Sequence, residues 1–362
     1  MSAPRVLVCG SVLGQGPGGV RRHNAELLPR AAALLEARGG RLAVLEGREK
    51  IAFALPANIE RIPSDVPARP VFLRALRESR ALARVRGFDL VHTGHLPAPR
   101  GLALPFTITL HDLRHLEAGR LLARAALRDA LRRARGVFTV SQSVRAELLE
   151  RFGADPERVR VVPNAADHFE PLPREVGPDA RLLCLGHLEP RKNQELLLRA
   201  LALDPALPGA DFAGAAKGDE LARLEALARE LGLGGRARFL GAFDDARLPG
   251  LYARAAAAVF PSRLEGFGIG PLEAARARCP LAVSAIRAHM EVTGELVPLF
   301  STDDPRACAA AIRAALKAPV ASGIAERYTW DGSARALVDG WEQALSGPRQ
   351  APTPDPGPRP SA

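Results

Sequence analysis

Short apolar strands alternate with helical stretches along almost the whole chain, and this alternation restricts the fold more than any other feature. In the first half the strands fall at 5–10, 41–47, 88–94, 106–112, 136–142 and 159–165. Helical stretches at 25–38, 71–86, 119–135 and 144–152 lie between several of them. Strands that are apolar on both faces and separated by helices form a parallel, doubly wound sheet. The stretch EPLPREVGPDA at 170–180 is rich in proline and charge and has no period. Beyond it the pattern restarts at 181–187, 211–215, 237–243, 256–262, 280–286 and 296–301. The expected fold is therefore α/β: two tandem Rossmann-like doubly wound parallel-sheet domains with an interdomain cleft. The expected boundaries are 1–170 for the first, 171–180 for a linker and 181–328 for the second. A final helix at 329–345 is expected to pack back toward the first domain, and the proline-rich tail at 346–362 to be disordered. A length of 362 residues suits two cores better than one.

Charge narrows the classes of partner. The net charge is +10, and the whole excess lies in residues 1–170, which carry 27 Arg/Lys against 17 Asp/Glu. Arginine outnumbers lysine 46 to 4, aromatic residues are 5%, and no basic patch is interleaved with aromatics, so nucleic-acid binding is disfavoured. A basic first half suits an anionic acceptor or an anionic membrane face. The arginines Arg120, Arg124, Arg128 and Arg132 form one stripe on the 119–135 helix, for which an ordinary solvated face is favoured over membrane docking. The N-terminal apolar run is six residues, shorter than a signal-peptide core, and no run approaches the ~18 residues of a membrane span. Cys9, Cys184, Cys279 and Cys308 are scattered without metal-type spacing, which reads as reduced thiols in a cytosolic protein, with peripheral contact at the inner membrane face left open.

The chemistry concentrates at 259–273, VFPSRLEGFGIGPLE. A buried strand breaks at Pro261, a loop holds Gly266, Gly268 and Gly270, and a helix is expected to begin at Pro271. Bare backbone next to a helix N-terminus is a phosphate cradle. Glu265 and Glu273 bracket it, the second expected in the first helical turn. Carboxylates repel phosphate and accept protons from hydroxyls, so this arrangement fits a nucleotide sugar. The blander reading makes Glu273 a dipole partner and Glu265 a solvated loop residue; the strand, glycines and helix around them argue against it.

Other candidates support the same cleft. In the loop GSVLGQGPGGV at 10–20, Gly14, Gly16 and Gly19 match a dinucleotide fingerprint, with Glu46 as the ribose acid. Four residues between strand end and Gly14, and a stiff Pro17, disfavour nicotinamide binding. A loop leaning over a diphosphate from the opposite domain, with Gly18 and Gly19 nearest, fits better. His111 and Asp112 end a strand at the rim where parallel sheets place functional groups. His92 is expected to pack beneath it, and His95 and His115 to lie on the surface. Arg191 and Lys192, just ahead of a helix, would crowd its positive end unless an anion lay between them. The adjacent pairs Asp244–Asp245 and Asp303–Asp304 read as helix starts.

Taken together, the glycine loop at 18–20, TLHDL at 109–113, VSQSVRAEL at 140–148, VVPNA at 161–165, LGHLEPRKN at 185–193, the stretch 239–255 and PSRLEGFGIGPLEA at 261–274 resemble the GT-B-fold glycosyltransferases of family 4, which retain configuration. The resemblance implies that Lys192 and Arg191, with Gly18, Gly19, Gly268 and Ile269, hold the donor diphosphate. It implies Glu273 on the ribose, Glu265 with Phe267 and Gly268 on the transferred sugar, and His111 at the reacting side. It further implies front-face attack, no metal and no cofactor beyond the nucleotide-sugar donor, with a glycan or lipid-linked acceptor. The wording EPRKN and EGFG is similar to bacterial mannosyl- and related transferases of surface polysaccharides. Departures are His187 where many members have arginine, AARARC at 274–279, and NAAD at 164–167. A nicotinamide-dependent oxidoreductase and a non-catalytic, nucleotide-sugar-binding homologue remain as alternatives.

Overall fold

The structure, a computed structural model, describes residues 3–13, 18–114, 121–318 and 323–346. Gly14, Gly16, His115, Arg120 and the tail at 347–362 lie outside the described residues.

Residues of the first half supply β1 (Arg5–Cys9), α1 (Gly19–Ala37), β2 (Arg41–Leu45), β3 (Ile59–Ile62), α2 (Val71–Arg84), β4 (Leu90–Thr93), β5 (Phe106–Leu110), α3 (Leu121–Arg133), β6 (Gly136–Thr139), α4 (Gln142–Phe152) and β7 (Val159–Val161). Their sheet has the order β3-β2-β1-β4-β5-β6-β7, with parallel pairings. The second half supplies β8 (Leu182–Leu185), α5 (Gln194–Leu203), β9 (Ala210–Ala213), α6 (Glu220–Glu230), β10 (Ala237–Gly241), α7 (Leu248–Arg254), β11 (Ala257–Phe260), α8 (Ile269–Arg276), β12 (Leu281–Ser284), α9 (Arg287–Thr293), β13 (Leu299–Phe300), α10 (Pro305–Lys317) and α11 (Trp330–Ser346). Its sheet has the order β10-β9-β8-β11-β12-β13 and is likewise parallel.

The central strands β1, β4, β5, β6, β11 and β12 are buried nearly throughout, which is why they read as apolar runs rather than alternating ones. The strand β3 gives no such run: it is an edge strand, with Glu60 and Arg61 exposed. In each sheet the chain reverses its direction of growth at the middle, between β1 and β4 and between β8 and β11. Ligand crevices in open α/β sheets lie beyond the carboxyl ends of the strands at such reversals.

The two halves are joined by packing as well as by chain. One apolar cluster runs from Leu110 and Leu113 of the first half to Phe267 and Leu272 of the second. The segment after β7 is strapped along the end of α7: Arg174 donates to the carbonyls of Tyr252 and Ala255, and the Glu175 amide donates to Ala253 at 2.9 Å. The last helix, α11, lies on α1 with Trp330 and Trp341 fully buried, and Arg30 of α1 and Arg38 at its C-cap pair with Asp331, Asp339 and Glu342. The four cysteines are free and buried.

Candidate active site

Two loops of the second sheet carry the charged groups. After β8 the chain turns through Gly186 into a 3₁₀ turn at Pro190–Lys192, and Asn193 ties that turn down by donating to the carbonyls of Pro261 (3.1 Å) and Thr302 (2.9 Å). After β11 comes the glycine loop, and the two loops meet. Lys192 Nζ donates to Glu265 Oε1 at 2.5 Å, Ser262 Oγ donates to the same oxygen at 2.7 Å, and Arg191 donates to Glu265 Oε2 at 3.0 Å. Arg191 also pairs with Glu189 at 2.6 Å, and Lys217 pairs with Glu189 at 2.8 Å. The Glu265 side chain is only 12% exposed. Burial alone would raise its pKa, but Lys192 and then Arg191 outweigh this and hold it down at about 2.

This corrects the electrostatic argument made from the sequence. The anion between the crowded cations is the protein's own: Glu265 and Glu189 sit among Lys192, Arg191 and Lys217. Three cations facing two carboxylates still leave one positive charge for an incoming phosphate. The helix start also differs. Helix α8 begins at Ile269, so Pro271 is its third residue and Glu273 lies beyond the first turn. Proline fits there because the first N–H groups of a helix have no intrahelical acceptor. Gly268, with φ 102°, turns the chain into the helix, and a Cβ built on it would lie 3.2 Å from the buried His289 ring.

Glu273 is 9% exposed and accepts from the Tyr252 hydroxyl at 3.3 Å, while His168 Nε2 stands 3.6 Å from its other oxygen. Phe267 turns its ring inward against Tyr328, 5.4 Å between centroids, so only its backbone can face a ligand.

From the first half come α1 and the residue after β5. Helix α1 starts at Gly19, six residues earlier than its apolar period suggests, with Gly18 as an N-cap lacking any side-chain hydrogen bond. Its unpaired N–H groups therefore point out of a 19-residue helix. A Cβ built on Gly18 would lie 4.0 Å from His187, and one on Gly19 would lie 3.9 Å from Ile269, so this helix end faces both loops of the second half.

The ring nitrogen Nε2 of His111 is fully enclosed and has no hydrogen-bond partner, while the ring packs edge-on against His23 at 4.6 Å. Burial first, then His23, His92 and Arg114, push its pKa well below the ordinary value, so the ring is neutral and has one N–H to donate. Its backbone carbonyl abuts Gly266. Ser141 Oγ donates to the Gly266 carbonyl at 2.5 Å, and the amides of Gln142 and Ser143 each donate to Glu291 at 2.8 Å. The halves therefore touch at the glycine loop, and the cleft beside Glu265 holds about 260 Å³, lined by Ser143 and Glu147 of α4 and by Arg263 and Arg287.

The other histidines divide. His92 bonds Thr107 and Thr109 and packs on Phe138 and Trp341, beneath the site. His95 is not a surface residue: it bonds Glu78 at 2.8 Å, and Ser11 bonds the same buried carboxylate at 2.8 Å. A glutamate in a polar-looking helix gave no sign that it would be drawn in beside the carboxyl ends of β1 and β4. Ser262, Glu189, Tyr252, His168 and Ser141 also escaped the sequence reading; all but Ser262 act through a contact distant in the chain. Of the alternative fingerprint, Glu46 pairs with Arg61 at 2.6 Å. Asp244 and Asp304 do cap helix starts, accepting from Ala246 and from Arg306 and Ala307.

The family described as glycosyl transferases group 1 matches residues 170–330, and that described as Glycosyltransferase Family 4 matches residues 17–168. The chain belongs to the GT-B-fold, family-4 glycosyltransferases. Among curated relatives, a D-inositol 3-phosphate glycosyltransferase of Geodermatophilus obscurus is 35% identical over 225 residues, covering 55% of this chain and 50% of the relative. The serotype-specific mannosyltransferase WbdA of Escherichia coli is 29% identical over 59% of this chain and 29% of its own length. The chain thus matches half or less of these two relatives. Among solved structures, Anabaena HepE in complex with UDP-glucose superimposes with a TM-score of 0.73 at 19% identity, over 94% of this family-4 chain and 99% of the Anabaena one.

Proposed function

We propose that this family-4 member is a retaining, metal-independent glycosyltransferase. It moves a sugar from a nucleoside-diphosphate donor to a glycan or lipid-linked acceptor in bacterial surface polysaccharide or glycolipid synthesis. The observation that carries the reading is the Lys192–Glu265–Arg191 set on the second half, with the start of α1 beside His187 and Ile269 and the His111 carbonyl against Gly266. The Anabaena protein solved with UDP-glucose supports a nucleotide-sugar donor. The mannosyltransferase among the relatives supports mannose as the first sugar to test.

In this reading Lys192, Arg191 and the N-terminal amides of α8 and α1 receive the charge that develops on the departing diphosphate. Preorganised donors of this kind contribute several kcal/mol each, on the order of 3. Glu273 accepts from ribose hydroxyls, Glu265 accepts from a sugar hydroxyl while keeping Lys192 in place, and His111 borders the sugar from the first half, its enclosed Nε2 reaching a hydroxyl only when the groups around it move apart. A carboxylate held at about 2 and shared by two cations and a serine is a poor nucleophile, which favours attack by the acceptor on the face the diphosphate leaves over a covalent step on Glu265.

The test is thermal unfolding with UDP, GDP, ADP, dTDP and NAD(P), repeated on Lys192→Ala. A nucleoside diphosphate at a hundred times its Kd adds ~2.7 kcal/mol of stability, and that shift should vanish in the variant. A shift with NAD(P) alone would transfer the function to the first glycine loop. Turnover assays with UDP-glucose and GDP-mannose, with the product anomer read by NMR, then check retention.

A further inference from the structure

The chain leaves the first sheet after β7 and returns to it at α11, and the residues at these two passages are bonded to each other. The backbone amide of Trp330 donates to Asp167 at 3.0 Å, and its indole N–H donates to His168 Nδ1 at 3.0 Å. Indole nitrogen only donates, so Nδ1 is the acceptor and the imidazole proton sits on Nε2. That N–H is fully enclosed, has no hydrogen-bond partner, and stands 3.6 Å from Glu273 Oε1. At this distance it is not yet a hydrogen bond. The other carboxylate oxygen is taken by Tyr252, whose hydroxyl also reaches the Gly270 carbonyl at 3.0 Å. Trp330 is completely buried, so the imidazole is held from behind by a rigid group.

We propose that His168, its tautomer set by Trp330, is a positioning residue that aims the Glu273 carboxylate at the ribose of the donor. The role assigned to Glu273 rests on the function proposed above; the contribution of His168 does not follow from it. The arrangement ties the nucleotide-binding carboxylate to the place where the two halves of the enzyme are joined, so the ribose is held from the hinge rather than from the glycine loop.

The experiment is titration calorimetry of the full chain with UDP, GDP and ADP, each against its 2′,3′-dideoxy form. The wild type should prefer the ribo form. His168→Leu should weaken the ribo form about tenfold and leave the dideoxy form unchanged, as loss of a hydrogen bond to a charged group does. His168→Gln should restore the preference, because an amide both accepts from Trp330 and donates to Glu273. A leucine variant that keeps the full preference, or loses affinity equally for both forms, overturns the proposal. If that variant does not fold, Trp330→Phe is read in the same way: an undiminished preference overturns the proposal. A wild type that binds no ribo form, or binds both forms alike, removes the ribose role of Glu273 and the positioning role with it.

Discussion

Gly266 lies so close to the carbonyl oxygen of His111 that no side chain fits between the two halves at this point. The neighbour is backbone, fixed by the end of β5, and cannot swing away. Gly266→Ala should therefore push the glycine loop off the first half and move Glu265 relative to His111. A displacement of about 1 Å between reacting groups costs roughly 10² in rate. The expected result is that loss in glycosyl transfer, with a lowered unfolding temperature as the Ser141–Gly266 hydrogen bond is disturbed. An alanine variant of native turnover would show that the halves need not meet here.

Lys192 has two duties, and its removal tests both. Lys192→Ala should cut turnover by ~10² or more through the lost diphosphate contact. It also leaves Glu265 buried with Arg191 as its remaining cationic partner, so the free variant should be less stable as well, by about 1–3 kcal/mol in urea. Lys192→Ala with Glu265→Gln should recover the stability and not the turnover. Recovery of both together would mean that Lys192 serves only the carboxylate.

Much of this was legible in the residues, for identifiable reasons. The sheets were legible because central parallel strands are buried on both faces, and the glycine loop because its break, glycines and helix are consecutive. Edge strand β3 was not, since exposed Glu60 and Arg61 hide it. The start of α1 was obscured because Gly18 and Gly19 read as loop, although the helix begins on Gly19 with Gly18 as its N-cap. The partners of Glu265 and Glu273 were the least legible part. Ser262 lies nearby, but Lys192, His168 and Tyr252 approach from 21 to 105 residues away, and only the folded chain brings them together.

Four buried imidazoles should make the enzyme acid-labile well above the carboxylate range, His111 among them, its pKa pushed well below the ordinary value by burial. Burial lowers His23 from 6.5 to about 4 against the pull of Asn164, His92 to about 3, and His289 to about 4 against the pull of Glu265. In the unfolded chain these groups take up protons near 6.5, and in the folded one they do not. Stability is then fully present above pH 6.5 and falls as pH drops toward 4, by up to ~1.4 kcal/mol per pH unit for each group. Glu265 adds a second loss between 4.5 and about 2. Urea midpoints measured from pH 8 to pH 4 should show the first slope, and His92→Gln should make it shallower. An unchanged slope in that variant would show that His92 is not among its sources.

On the acceptor side, a lipid-linked substrate would require the enzyme to sit at a membrane. Among the described residues, no helix is long and apolar enough to cross one. Helices α2 and α3 bury Leu82 and Leu127 in the same core, so they share a face of the first sheet. Toward solvent that face shows Phe72, 74% exposed, and Leu121 and Leu122, 76% and 89% exposed. Arginines flank them, including Arg128 and Arg132 on α3. Arg132 is held by Asp129 at 3.6 Å and Arg124 lies over the Phe152 ring at 5.4 Å, so part of the stripe is engaged within the protein. Exposed apolar side chains beside cations suit an anionic membrane face, to which each cation adds about 1 kcal/mol. Sedimentation with vesicles containing anionic lipid should retain the enzyme at low salt and lose it when Leu121 and Leu122 are both changed to serine, with nucleotide binding intact. Equal sedimentation of the double variant would assign α3 to an ordinary solvated surface and leave the acceptor to be sought among soluble glycans.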